Sequence, residues 1–221
     1  MDLYELKKSH VRGALGITAE FGRIGSFVDF GNVNYWFAED RQSPDGSALP
    51  DGRRLVIDVA KLKEFADLFS DDVRFYYGHD AANPKSLGFI QALREIYGKH
   101  RVFTKPMQKI RHHLNDVESV ANTRETHQDR EGTYICIPKC NFDVEIAVDT
   151  IKLADRYDAI CLFSSDADFV HLARYLKSKG KKVILIKGGH VVWQLKAVAD
   201  LVVSAQAIKQ YIAVIKQKPG G

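Results

Sequence analysis

The sequence predicts an α/β fold in which a parallel sheet is flanked by helices on both faces. Three observations carry this reading. The runs IGSFVDF (24–30), AICLFSS (159–165) and KVILI (182–186) are short and almost continuously apolar, the pattern of strands buried on both faces. Stretches with apolar residues at helical spacing separate the strands, as crossovers between parallel strands require. No internal repeat or linker divides the chain.

Composition agrees with this class. At 221 residues and 45% hydrophobic, the chain can bury a sizeable core without disulfide or metal staples, which excludes wholesale disorder, collagen and mini-protein scaffolds. Three cysteines, Cys136, Cys140 and Cys161, are an odd number, and no charged-then-apolar leader opens the sequence, so a reducing cytoplasm is the expected compartment. No apolar run approaches the ~20 residues that span a bilayer. The net charge is only +4, but beyond Asp168 ten Lys and Arg stand against one acid, Asp200. The stretch Asp143–Asp168 is acid-rich, so an acidic centre beside a basic surface is expected.

The elements follow in order. Residues 1–23 have mixed polarity and read as an N-terminal extension with a short helix at Asp2–Lys8. IGSFVDF is a buried strand that meets a loop at Gly31-Asn32, and residues 40–54, rich in Gly, Pro, Ser and Asp, form a surface loop. Asp58 caps a helix whose apolar side is Val59, Leu62, Phe65, Ala66 and Phe69. VRFYYG (73–78) is a strand, Pro84–Tyr97 a helix and Val102–Pro106 a strand. The polar stretch 107–138, with His112, His113 and His127, interrupts the alternation as an inserted hairpin or flap. Helices are expected at Asp143–Arg156, Phe169–Lys179, Val192–Ala199 and Ala205–Lys216, and a last short strand at Leu201–Ser204. The domain proper is thus 24–204, with 205–221 as a C-terminal helix and tail.

Functional sites in open parallel sheets form at the carboxyl ends of strands. Asp29 ends one buried strand, and Asp166 and Asp168 follow another. Asp143 stands at a helix start, where the helix dipole favours negative charge. Each acid alone reads as a cap or turn residue. Together they suggest a crowded anionic crevice, relieved either by protonation or by a hard cation such as magnesium or manganese. Asp149 lies on another helix face and is expected to pair with Lys152 or Arg156.

Three segments resemble the signature blocks of the NYN domain, in its LabA-like branch of PIN-like nucleases: FVDFGNVNYWF (27–37), KCNFDVEIAVDTIKLA (139–154) and LFSSDADFVHLARYLKSKGKKVILI (162–186). The likeness spans about Ile24 to Ser204. It implies a PIN-like sheet and a divalent-metal-dependent ribonuclease. By the resemblance, Asp29, Asp143, Asp166 and Asp168 form the Mg²⁺- or Mn²⁺-binding catalytic centre, Asn32 orients it, and Ser164 and Ser165 support it. The chain departs from the family at Ser165 and Cys140, where Gly is common.

For nucleic acid, Lys177, Lys179, Lys181 and Lys182 are the first candidate phosphate track, and the run KHRVFTKPMQKIRHH (99–113), with five Lys/Arg and no acid, the second. Tyr35 and Trp36 are candidates either for base stacking or for core packing. A haloacid-dehalogenase-type phosphatase would want an acid where Gly31 stands, and there is no P-loop. Cys136 and Cys140 with His112 and His113 have only loose zinc spacing. The reading is therefore an endoribonuclease acting on single-stranded or structured RNA, away from membranes and compatible with a homo-oligomer. The alternative is a non-catalytic nucleic-acid-binding or regulatory module of the same fold.

Overall fold

A computed structural model describes residues 2–115, 118 and 125–217. The insertion expected at 107–138 is therefore described in part, and Lys218 with the rest of the tail lies outside the described residues. In chain order the strands are β1 (Ile24–Asp29), β2 (Arg53–Ile57), β3 (Asp72–His79), β4 (Val102–Pro106), β5 (Gln108–His113), β6 (His127–Asp129), β7 (Gly132–Lys139), β8 (Ala159–Phe163), β9 (Lys182–Lys187), β10 (Leu201–Ser204) and β11 (Ala213–Gln217). The helices are α1 (Leu3–Leu15), α2 (Phe30–Val33), α3 (Val59–Asp67), α4 (Pro84–Tyr97), α5 (Asp143–Leu153), α6 (Phe169–Ser178), α7 (Trp193–Val198) and α8 (Ala205–Ile212).

The expected sheet is present. Six strands run in the order β10-β9-β8-β1-β3-β4, and each neighbouring pair is parallel. Strand alternation then divides the core between two faces. Cys161 and Phe163 of β8 face a core shared with α1, α3, α4 and α8. Ile160 and Leu162 face the opposite core, with Ile146 of α5, Leu172 and Leu176 of α6, and Leu195 of α7. Helices thus cover both faces, which is why the strands are apolar throughout.

Chain order places the site. Val28 of β1 is in register with Phe163 of β8 on one side and with Phe75 of β3 on the other. The loops after β1 and β8 therefore leave the sheet side by side, where the strand order reverses and a crevice opens.

Three expectations need correction, and a fourth is refined. The N-terminal segment is not a peripheral extension with a short helix ending at Lys8. Asp2 accepts a hydrogen bond from Tyr4 N, α1 runs to Leu15, and Val11, Leu15, Ile17 and Phe21 are buried in the main core. The terminal helix stops at Ile212 rather than reaching Lys216. Its last residues, AVIKQ, instead form β11, which pairs antiparallel with β2. The β-branched pair Val214-Ile215 favours the strand once such a partner exists, and this partner, β2, begins within the segment read as a loop. The polar insertion is a three-stranded antiparallel sheet in the order β5-β7-β6, so the hairpin description fits its described part. Asp149 turns to neither Lys152 nor Arg156: its Oδ2 accepts from Tyr76 OH at 2.8 Å and lies 3.9 Å from Arg74.

Candidate metal centre

Asp29 ends β1 with its side chain largely withdrawn from solvent. Ser164, the residue after β8, donates from Oγ to Asp29 Oδ2 at 3.0 Å, and the same Oγ accepts from Asp166 N at 3.2 Å. One buried hydroxyl therefore ties the two strand-end acids together. Asp166 Oδ1 in turn accepts from Asp168 N at 3.0 Å, an Asx-type turn that leads into α6. Asp168 occupies the N-cap of α6, yet makes no side-chain capping bond. Its carboxylate is left for another task.

Asp143 arrives from the other direction. Asn141 Oδ1 accepts from Asp143 N at 2.7 Å and so fixes the start of α5 at the same rim. Carboxylate oxygens of Asp143, Asp166 and Asp168 then lie within 4.8 Å of one another. Burial pushes Asp29 up to about 6, against the Ser164 hydrogen bond that lowers it and with the charges of Asp143 and Asp166 adding to the rise. Asp143 is also raised, first by burial and then by Asp166 and Asp168. Neighbouring carboxylates thus disfavour the charged forms of Asp29 and Asp143, and among the described residues no Lys or Arg pairs with either in the way that Lys105 holds Glu145 down, at 2.5 Å.

The residues fit a hard divalent cation. Asp143 Oδ2 is buried and has no hydrogen-bond partner among the described residues. A buried charged oxygen left this way costs several kcal/mol unless a ligand completes it. All donors are carboxylate oxygens, the chemistry preferred by Mg²⁺ and Mn²⁺.

Neutral groups hold the loops in place. Asn32 Oδ1 accepts from Trp36 Nε1 at 3.0 Å and from Ser165 N at 3.1 Å. Asn32 therefore acts on the loop after β8 rather than on a carboxylate directly. Trp36 is buried and stacks on Phe163 with ring centroids 6.4 Å apart. Ser165 Oγ donates to Gly188 O at 2.6 Å, which brings the loop after β9 into the same assembly. Gly188 has to be glycine, because a Cβ there would lie 2.3 Å from the Trp36 ring.

Sequence reasoning missed Asn141 and Lys139. Asn141 carried a readable signal, an Asn two residues before a helix acid; Lys139 lines the crevice with Asp29, Asp143 and Asp166 but looked like one more surface lysine.

The structure does not bring Lys177, Lys179, Lys181 and Lys182 to this crevice. They lie at the end of α6 and the start of β9, where Lys182 is in register with Ala159, the first residue of β8. That is the opposite end of the sheet, roughly 15 Å away along the ten residues of α6. Lys177 pairs with Asp200, Lys182 with Glu20 at 2.8 Å, and Lys181 Nζ donates to Tyr157 O at 2.9 Å. Tyr35 and Trp36 also separate: Trp36 is core, whereas Tyr35 is 69% exposed. Cys136 and Cys140 do not join His112 and His113 in a metal cluster among the described residues. Nor is any described helix long and apolar enough to cross a membrane.

Comparison with known proteins bears on the family and the fold. The chain is similar to the low amplitude and bright protein LabA of Synechococcus elongatus, with 27% identity over 90 residues, which are 40% of this chain and 48% of that protein. It thus spans about half the length of this relative. The fold is similar to the crystal structure of a protein of unknown function from Vibrio parahaemolyticus, with a TM-score of 0.54 and 21% identity, covering 85% of this chain and 94% of that one. The NYN domain family model matches residues 23–206, from the residue before β1 to the first turn of α8. With that match over most of its length, and an acid cluster at the carboxyl ends of a six-stranded parallel sheet, the chain belongs to the NYN domain family, of PIN-like nuclease type.

Proposed function

We propose that this protein is a divalent-metal-dependent endoribonuclease, with Asp143, Asp166 and Asp168 as the Mg²⁺ or Mn²⁺ ligands and Asp29 as the fourth acid of the centre. The observation that carries the reading is the unpartnered, buried Asp143 Oδ2 beside two further carboxylates within 4.8 Å. A purely structural cluster would be expected to form ion pairs, and among the described residues none of these four acids pairs with a Lys or Arg, Lys139 at the crevice wall included. When bound, the cation supplies charge neutralisation at the phosphodiester and a lowered pKa for attacking water. The protein's own groups position that chemistry. Ser164 fixes the Asp29 carboxylate, the Asp166 turn aims Asp168, and Asn141 fixes the entry of Asp143. Asn32 holds the β8 loop to the β1 loop, so the acids keep their spacing despite mutual repulsion. Lys139, at the wall of the crevice, is placed to meet a substrate phosphate.

The substrate class is RNA. The test is cleavage of labelled single-stranded RNA by the full chain in Mn²⁺, in Mg²⁺ and in EDTA, with Asp166→Asn and Asp168→Asn alongside. Cleavage is expected only with a cation, and a drop of at least ~100-fold in each variant. Cation-independent cleavage, or full activity in either variant, overturns the assignment.

A further inference from the structure

A second cavity, of about 320 Å³, adjoins the carboxylate crevice at the carboxyl ends of β1, β3 and β4. Phe30, Tyr77, Phe142, Met107 and Pro138 supply its apolar lining, and the exposed Tyr35 also lines it. Asn34 adds an amide with both donor and acceptor capacity. The two cavities are continuous in their walls, since Gly31, Lys139, Cys140 and Phe142 line both. Gly31 lies in both linings, and a Cβ there would stand 3.3 Å from Asp29 Oδ1, a tight contact.

A ligand that fills both spaces needs a phosphate at one end and, a short reach away, a flat apolar body with polar edges. A nucleotide unit has that form. We propose that this cavity receives one unstacked nucleobase of single-stranded RNA, next to the phosphodiester held at the acidic centre. The proposal rests on the nuclease reading for its phosphate position, and adds to it a base-binding site. Aromatic walls suit a base face in any sequence, the Asn34 amide suits its edge, and the Lys139 ammonium suits the linking phosphate. A base paired in a duplex cannot enter, because its face is already stacked. The cavity would therefore make the enzyme select unpaired nucleotides.

Binding isolates this claim from catalysis. In the full-length Asp166→Asn background and in EDTA, labelled single-stranded RNA is compared with the same RNA carrying one abasic site, scanned along its length. At one position, loss of the base should weaken binding about 5- to 100-fold, the worth of one aromatic–base stack. Met107→Trp, which fills the cavity, should bind intact and abasic RNA alike. Tyr35→Ala, at an exposed position that cannot threaten folding, should reduce the difference. Equal affinity for intact and abasic RNA at every position overturns the proposal, as does base dependence that survives both variants. Manganese-dependent cleavage by the otherwise unaltered protein is scored separately. Cleavage without base dependence overturns the base site alone; base-dependent binding without cleavage overturns the nuclease reading and keeps the base site.

Discussion

Replacing Asp29 by Asn should stabilise the cation-free protein at neutral pH. The magnitude follows from the carboxyl's environment. Burial and the neighbouring Asp143 and Asp166 raise it to about 6 from an ordinary 3.8. At ~1.4 kcal/mol per pH unit, ionising it in the folded chain above pH 6 costs ~3 kcal/mol relative to the unfolded chain. Because the folded value is the higher one, this cost is absent below about pH 4, grows as pH rises and is complete above about pH 6. The Asn side chain keeps the shape, and its oxygen still accepts from Ser164 Oγ. Its amide group replaces an oxygen that accepts from the Asn32 backbone N–H, which takes back part of the gain. In EDTA at pH 8 the thermal midpoint of Asp29→Asn should therefore rise, by a ceiling of ~6–12 °C for a chain of this size. Scanning calorimetry in EDTA between pH 4 and 8 checks the sign: the stability of the variant relative to the unaltered protein should rise across that window and level off above about pH 6. With Mn²⁺ the order should reverse, since a cation stabilises the folded state in proportion to its affinity and the fourth acid is gone. A variant that is equally or less stable than the parent in EDTA at pH 8 would refute the claim that this carboxylate is held charged against its environment.

Two further outcomes follow from the geometry. Asn32→Ala should cost ~1–3 kcal/mol, because Trp36 Nε1 and Ser165 N both lose their acceptor; thermal denaturation measures it, and an unchanged midpoint would remove Asn32 from its place between the two loops. Replacing Lys177, Lys179, Lys181 and Lys182 together by Ala should leave RNA affinity within about twofold, whereas Lys139→Ala should lower the slope of log affinity against log salt by ~1. Loss of most of the affinity in the fourfold variant would put the phosphate track at the far end of the sheet.

The parallel sheet was legible because its signal is local. A strand such as AICLF is apolar at every position, and all five of its residues are buried. The capping reading at Asp58 held for the same reason: its carboxylate accepts from Ala60 N and Lys61 N, two and three residues on, both at 3.0 Å. Elements whose stability depends on distant partners were not legible. Residues 213–217 continue a helical pattern until β2 supplies an edge more than 150 residues earlier, and α1 looks polar because only Val11 and Leu15 of it are buried. Asp149 was misread for the same reason, since its partner Tyr76 is 73 residues away.

The same division runs through the site. The acids could be found because each stands at a readable element boundary or a few residues beyond one. The groups that hold them had no such marker: Asn32 acts by reaching Ser165, 133 residues on, and Gly188 by leaving room for Trp36. Their chemistry nonetheless follows from the acids. Like charges in a shielded crevice push their loops apart, and a lysine ion-paired with them would neutralise the crevice; Lys139 lines the wall but forms no ion pair with these acids among the described residues. Neutral hydrogen bonds from Asn32, Ser164 and Ser165, with the Trp36–Phe163 stack beneath, resist the repulsion without cancelling the charge. The cation-free fold thus holds its anionic centre ready, at a cost in stability that a bound ion would relieve.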